Sequence, residues 1–371
     1  MKVAIVHYWF ITRRGGEKVV ESILKIFPDA DIYTLFYDKK EYGKNLNKQK
    51  VYTSVLNTPF LRMHYQKIFP LYPLGINSLK LKKKYDLIIS SESGPAKGIE
   101  IKDSTPHICY IHSPMRYCWS HKELYLHSVY PVLRPLIRFF LNRLQNWDRS
   151  TIQNVDLYIA NSINVEKRVK KYYNRESSVV YPPISDEFFS KPIENDIEKD
   201  IYLSFGAITP YKRIDLLIDT FVENGKKLII IGEGSEKKKL QKKATQNIEF
   251  KGSLEWNDIE LIFSKTKALL FPGEEDFGLI PLEVMAYGIP VLAFKKGGAL
   301  ETIIENKNKV NESSGLFFNA QDTKSIQQTI ELFEEIEQKF DPSWIRNHAF
   351  SFREKQFINI FREKIKGFLK E

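Results

Sequence analysis

The sequence predicts an α/β protein made of two doubly wound, parallel-sheet domains. Three observations predict it. Short apolar runs of strand length alternate with helix-patterned segments along almost the whole chain, the mark of repeated βαβ units. The 371 residues suit two domains better than one. A polar, acidic, proline-containing stretch, Ser185 to Asp200, divides the chain and reads as a linker. The first domain is expected over residues 1–184 and the second over residues 185–351.

Lys2 to His7 (KVAIVH) reads as the first strand, and Gly15-Gly16 opens a helix running to Phe27. Ile32 to Tyr37, Asp86 to Ser91, His107 to His112 and Asp156 to Ala160 are the following strands; Asn77 to Lys84 is helix-like and Asn164 to Tyr173 is a helix. Gly43 to Pro73 is irregular, aromatic and basic, and no regular element is expected there. In the second half, strands at Ile201 to Phe205, Lys227 to Ile231, Asn247 to Phe250, Lys267 to Phe271, Val291 to Phe294 and Gly315 to Phe318 are expected. They alternate with helices at Arg213 to Phe221, Glu236 to Ala244, Trp256 to Ser264, Leu279 to Tyr287 and Thr323 to Phe340. Tyr130 to Arg149 has helix spacing with a wide apolar face, and Arg134, Arg138 and Arg149 fall on one flank. Such a helix either packs into the first domain or lies on an anionic membrane.

The chemistry concentrates in the stretch from Phe271 to Val291. Pro272 and Gly273 stop a strand, an acidic loop follows to Gly278, and a helix begins at Leu279. A loop at the carboxyl end of a parallel strand is where open α/β sheets bind ligands. The helix start at Gly278–Leu279 offers backbone N–H groups and a positive dipole end, which suits a phosphate. Glu275 and Glu283 frame the stretch with seven residues between them. A glycosidase pair sits roughly 5–10 Å apart, whereas eight residues of helix rise about 12 Å. The two carboxylates therefore suit two ends of one elongated ligand. Taken alone, Glu275 could equally be a loop charge and Glu283 a solvated helix carboxylate.

Other pieces are weaker alone. Gly15-Gly16 permits close backbone approach, or is simply a tight turn. Lys212, in Gly206-Ala-Ile-Thr-Pro-Tyr-Lys-Arg213, can neutralise charge on a leaving pyrophosphate. Gly232-Glu233-Gly234 and Gly252-Ser253-Leu254 follow strands and suit a nucleotide base. His112 lies just past a strand end, where a lone histidine is more often structural. Asp29-Ala30-Asp31 has the D-x-D form but begins a strand at the far side of a helix, so no metal site is read there. The G-x-G-x-x-G fingerprint is absent, which disfavours a nicotinamide or flavin enzyme.

Glu275-Asp-Phe-Gly-Leu-Ile-Pro-Leu-Glu283 resembles the E-x7-E signature of the retaining glycosyltransferases of family 4. The longer run, from Gly273 through Gly297-Gly298-Ala-Leu-Glu301-Thr302, looks like the branch that includes bacterial O-antigen mannosyltransferases. His112-Ser-Pro-Met-Arg116-Tyr117 matches the family's His-Ser/Thr-Pro-Met-Arg-Tyr pattern. The resemblance implies the GT-B architecture: two Rossmann-like domains facing across a cleft, with the last helix, about Arg353 to Leu369 within residues 352–371, crossing back to the first domain.

It also implies a sugar nucleotide as donor, GDP-mannose above others, a lipid-linked saccharide as acceptor, and transfer with neither metal ion nor cofactor. Glu275 would hydrogen-bond the donor sugar, Glu283 the ribose hydroxyls, and His112 would face the sugar and phosphate. Gly15, Gly16, Lys212, Arg213, Gly232, Glu233, Phe277, Gly278, Leu279 and Ile280 are the further donor-side residues, and Arg116 is the anion contact on the acceptor side. The wider family usually carries arginine directly after Gly206, where this chain has Ala207. Lys212 then becomes the principal cation on the pyrophosphate. Whether Arg213 compensates stays open, since adjacent helix residues point about 100° apart. Two other readings remain: a sugar-nucleotide 2-epimerase of the same fold, and a degenerate GT-B partner subunit, which Ala207 would favour.

Composition is that of an ordinary globular chain, 43% hydrophobic and 27% charged. No apolar run reaches the length of a membrane span, and Met1-Lys2 leads straight into a strand without a signal-peptide core, so a cytoplasmic protein is expected. Cys109 and Cys118 form no zinc or disulfide framework and are expected to be reduced. The net charge of +10 is uneven: residues 1–185 carry 29 basic against 15 acidic side chains, and the remainder is mildly acidic. A basic half can mean nucleic acid, an anionic membrane or anionic substrates, or only a lysine-rich composition. Nucleic acid is not among the expected partners.

Overall fold

A computed structural model describes residues 1–127, 129–193 and 198–370. The chain divides into two units, Met1–Pro183 with Phe357–Glu371 (unit 1) and Ile184–Gln356 (unit 2).

Unit 1 is built on a seven-stranded parallel sheet: β1 (Val3–Phe10), β2 (Asp31–Tyr37), β3 (Val51–Thr53), β4 (Leu87–Glu92), β5 (His107–Ile111), β6 (Leu157–Ala160) and β7 (Ser178–Val179), in the order β3-β2-β1-β4-β5-β6-β7. β1 is apolar because both its faces are covered. Val3 and Ile5 pack on one side with Val19, Ile23, Phe357 and Phe361, that is, under the helices Gly15–Ile26 and Glu354–Phe368. Ala4 and Val6 pack on the other side with Ile76, Leu141 and Leu144, from the helices Tyr72–Ser78 and Arg134–Ser150. The last helix thus belongs to the core of unit 1. Phe361 is fully buried there, worth about 1.5–3 kcal/mol relative to exposure.

Unit 2 carries a six-stranded parallel sheet: β8 (Ile201–Phe205), β9 (Leu228–Ile231), β10 (Ile248–Gly252), β11 (Thr266–Phe271), β12 (Val291–Phe294) and β13 (Gly315–Phe318), in the order β10-β9-β8-β11-β12-β13. Each sheet has one strand, β1 or β8, from which the chain winds off in both directions. The fold is therefore two Rossmann-like α/β units.

Several expectations need correction. The helix near residues 77–84 is Tyr72–Ser78 instead, and the lysine run beyond it bends at Lys82 and Lys83, with the Lys82 N–H on the Tyr33 hydroxyl at 2.9 Å and Lys83 on Asp31 at 2.9 Å. The stretch read as irregular contains β3 and a helix, Pro59–Met63, capped by Thr58. Both are too short to show a period. The helices Lys122–His127 and Pro342–Phe350 were not expected; the second carried a readable signal, the Asp341 cap followed by proline. The helix expected over Thr323 to Phe340 ends at Ile336. The start of the expected linker is packed, not loose: Phe188 is buried with its ring 5.1 Å from that of Trp256. Residues 194–197 of that stretch lie outside the described residues.

Beneath the carboxyl end of the first sheet lies a buried charged cluster. Glu92, Lys97 and Asp148 are all fully buried. The Lys97 ammonium pairs with Asp148 and lies 3.7 Å from Glu92. Asp148 also accepts from the Trp119 indole at 2.8 Å and the Tyr173 hydroxyl at 2.9 Å. Burial pushes the Glu92 carboxyl up to about 8, against the pull of Lys97 and helped by Asp148. A carboxyl raised in the folded state stabilises the fold fully below its unfolded value near 4.5, and that contribution is lost as pH rises through about 8. His107, held down to about 4 by burial, is neutral above about 6.5 in either state. The melting temperature is therefore expected to fall between about pH 6.5 and about pH 8, and Glu92→Gln should flatten that fall. A thermal melt series over pH checks this; an unchanged slope in the variant places the titration elsewhere.

Candidate active site

In each unit the candidate residues gather at the carboxyl edge of the sheet, beside the strand where the winding reverses, which is where open α/β sheets form ligand crevices.

In unit 1, β1 leads through a short loop into the helix Gly15–Ile26. Gly16 fits under three side chains. A Cβ placed there would lie 2.7 Å from the Tyr8 hydroxyl, 3.5 Å from His7 and 3.6 Å from His112 Nε2. The glycine is thus required by close approach. His112 follows β5 and is anchored twice: its backbone N–H donates to the Glu92 carbonyl at 2.7 Å, and its Nε2 lies 2.9 Å from the Ser91 hydroxyl. The structure therefore brings Gly16 and His112 together, as the sequence suggested separately. Arg116 lies further along the same turn, half-buried.

Three neighbours were missed. Tyr8 and His7 lie inside an apolar strand and give no signal. Glu17, buried, accepts the Arg14 backbone N–H at 3.1 Å and stands 4.0 Å from His7. Its spacing is that of a capping box, hidden because arginine occupies the cap.

In unit 2, three loops meet above β8, β11 and β12. The first, after β8, runs through a 3-10 turn, Pro210–Lys212. The second, Pro272 to Gly278, leads into the helix Leu279–Met285. The third holds Gly297 and Gly298. They interlock: a Cβ on Gly273 would sit 2.9 Å from the Lys212 Cα, and the Gly298 N–H donates to the Glu275 carbonyl at 2.8 Å. The outcome is an ion pair between the Lys212 ammonium and the Glu275 carboxylate. Lys212 is only 9% exposed, and its ammonium also lies 5.4 Å from the Phe271 ring centroid. Glu283, on the helix, is also 9% exposed, which rules out the solvated reading.

Gly232 and Glu233 follow β9, and the Ile208 N–H donates to the Glu233 carbonyl at 2.9 Å, tying that loop to the first. The Glu233 carboxylate pairs with Lys237 at 2.6 Å. Gly278 is the N-cap, with Leu279 and Ile280 opening the helix.

Some donor-side expectations change. Arg213 is not on a helix: it is the left-handed residue before Ile214, with φ 54°, and its guanidinium is bound to Asp215 at 3.1 Å. The helix after Gly278 has seven residues rather than nine, because Ala286 and Tyr287 already belong to its turn out toward Gly288. Phe277 is buried against Phe352, ring centroids 6.0 Å apart, so only its backbone faces the loop. Asp31 is held by Tyr85 at 2.5 Å and Lys83 at 2.9 Å within the sheet.

Chemically, unit 2 offers a cation and a carboxylate in contact, next to a helix start and above a topological switch, the equipment for holding a phosphorylated sugar. The class is a GT-B glycosyltransferase. Over 99% of the chain it superposes on the whole of Anabaena Alr3699/HepE, crystallised in complex with UDP, with a TM-score of 0.71 at 18% identity.

A family model described as Glycosyltransferase Family 4 matches residues 14–188, and one described as Glycosyl transferases group 1 matches residues 185–349. The chain belongs to the family 4 glycosyltransferases. The α-1,3/1,6-mannosyltransferase ALG2 of Saccharomyces cerevisiae is 27% identical over 76% of this chain and 66% of its own length. The O-antigen chain mannosyltransferase RfbU of Salmonella typhimurium is 26% identical over 47% of this chain and 50% of its own. The chain thus spans about two thirds of the first relative and half of the second.

Two expectations follow from the geometry. Lys212→Ala should lower turnover on the order of 100-fold, as for loss of one preorganised donor. Because Lys212 and Glu275 share a contact, the double variant with Glu275→Gln should lose much less than the product of the two single losses. Rates for the four proteins check this; strict additivity would mean that the pair does not act as a unit. For the first unit, Gly16→Ala should impair transfer by pressing on the Tyr8 hydroxyl, and Tyr8→Phe in that background should restore part of it. No recovery would place the obstruction at His112 instead.

Proposed function

We propose that this glycosyltransferase moves mannose, with retention, from GDP-mannose to a lipid-linked saccharide in the assembly of a bacterial surface polysaccharide, at the inner face of the cytoplasmic membrane. The Lys212–Glu275 contact above the switch of the second sheet is the observation that carries the donor assignment. The relatives' names, both mannosyltransferases, support the sugar. In this reading Lys212 and the Leu279 helix start bear the charge of the leaving pyrophosphate, so no metal ion is needed. Glu275 binds the sugar, Glu283 the ribose, and His112 and Arg116 serve the sugar and acceptor side. No enzymic nucleophile is required if the acceptor attacks from the face that the leaving group vacates and the leaving phosphate takes its proton.

A panel of sugar nucleotides tests the reading. Hexose transfer or slow donor hydrolysis with GDP-mannose, unaffected by a chelator, is expected. Preference for a UDP-sugar would move the base, a point of interest because the Anabaena neighbour was crystallised with UDP. Interconversion of epimers without transfer would make the protein an epimerase, and binding without turnover a partner subunit. Within the same assay, Glu283→Gln should mainly weaken donor binding, because ribose is held alike in ground and transition states, whereas Glu275→Gln should mainly lower turnover. Equal, small effects from both would remove this stretch from the donor site.

A further inference from the structure

The helix Arg134–Ser150 is apolar on both sides over its first turns. Inward, Leu141 and Leu144 are buried, with Ile137 and Phe140 packed on the same core. Outward, Leu136 and Phe139 are each 53% exposed. The 3-10 turn Pro131–Leu133 that leads into the helix holds Val132 at 84% exposure, with Tyr130 before it at 79%. These four apolar groups form a knuckle that rises about 10 Å along the helix, at 1.5 Å per residue. Beyond Phe139 the outer face turns polar at Asn142, Arg143, Asn146 and Arg149. A helix face apolar outside as well as inside, in a position open to water, marks a contact surface.

The charge around the knuckle indicates what covers it. Between residues 122 and 150 stand five basic side chains and only two acidic ones, and one of those, Asp148, is buried on Lys97. Unit 1 as a whole carries 33 basic against 17 acidic residues. Some of the local charge is already engaged: Arg138 is bidentate to Glu123 at 2.8 and 2.9 Å, and Arg134 donates to the carbonyls of Val129 and His127 at 3.1 and 3.3 Å. The apolar groups therefore supply more of the adhesion than the arginines.

We infer that the knuckle from Tyr130 to Phe139 is a wedge that inserts into the interfacial layer of an anionic lipid bilayer, with the arginine rim meeting the headgroups. The inference rests on the lipid-linked acceptor proposed above only for its purpose, since its evidence is the exposed surface itself. An apolar wedge enters about 5–10 Å, to the boundary of headgroup and acyl chain.

Flotation of the full chain with vesicles of phosphatidylcholine and phosphatidylglycerol tests it. The chain should float with the mixed vesicles and keep much of that binding at about 1 M salt, where the Debye length is only about 3 Å. Val132→Asp with Leu136→Asp should cut the bound fraction by about tenfold or more, the scale expected when apolar side chains are no longer withdrawn from water. Both sites are exposed, so the melting temperature should hold, and Leu332→Asp, an exposed leucine of unit 2, should float as the parent does. Undiminished flotation of the double variant overturns the proposal. So does size-exclusion behaviour in which the parent is a dimer that the double variant abolishes while vesicle binding is nil, for then a second copy covers the knuckle. Donor hydrolysis in solution is read in parallel: a protein inert toward GDP-mannose that still floats through this wedge would count against the proposed donor reaction and leave the wedge standing.

Discussion

The contact between Lys212 and Glu275 is the constraint on which unit 2 depends. A nearly buried ammonium must have an anion, and here its partner is a carboxylate from a different loop. Satisfying that pair fixes the turn after β8 against the loop after β11, and the Gly298 N–H on the Glu275 carbonyl fixes the third loop against the second. Under the proposed function, a pyrophosphate arriving at Lys212 would meet a cation already placed, and Glu275 would turn from neutralising that cation toward the sugar. The loops are thus ordered by one another, and little of the binding energy would go into arranging them.

Unit 1 solves the same topological problem with different means. Its switch-point edge is organised by close approach, Gly16 under Tyr8 and His112, over a buried cluster in which Lys97 is shared by Glu92 and Asp148. Asp148 links the long helix Arg134–Ser150 to Trp119, on the turn that carries His112 and Arg116, and to Tyr173. The helix with the exposed wedge at one end is therefore tied at its other end to the elements that frame the candidate site in this unit.

Much of this was legible in the sequence. Buried parallel strands are continuous apolar runs, so β8, β12 and β13 are found where KDIYLSF, IPVLAF and GLFF place them. The E-x7-E stretch and the His-Ser-Pro-Met-Arg-Tyr turn were visible because they join rigid elements at fixed spacing. What stayed hidden depends on contacts distant in sequence. Nothing local to Lys212 announces Glu275. Arg213 looked like the first residue of a helix, and only the tertiary turn shows it left-handed and bound to Asp215. β3 and the helix Pro59–Met63 are three and five residues long, too short for any period, and exist because the sheet and the aromatic core hold them.

The helix Glu354–Phe368 has a consequence for how the molecule is made. It completes the face of β1 formed by Val3, Ile5, Val19 and Ile23, yet it is translated after the whole of unit 2. Unit 2 is one uninterrupted segment and can close its core as soon as it leaves the ribosome, whereas the opening half of the chain must wait with an apolar sheet face uncovered. Nascent unit 1 is accordingly the stage of synthesis most exposed to aggregation and most in need of a chaperone, and a truncation just before Glu354 would damage the first unit rather than the second.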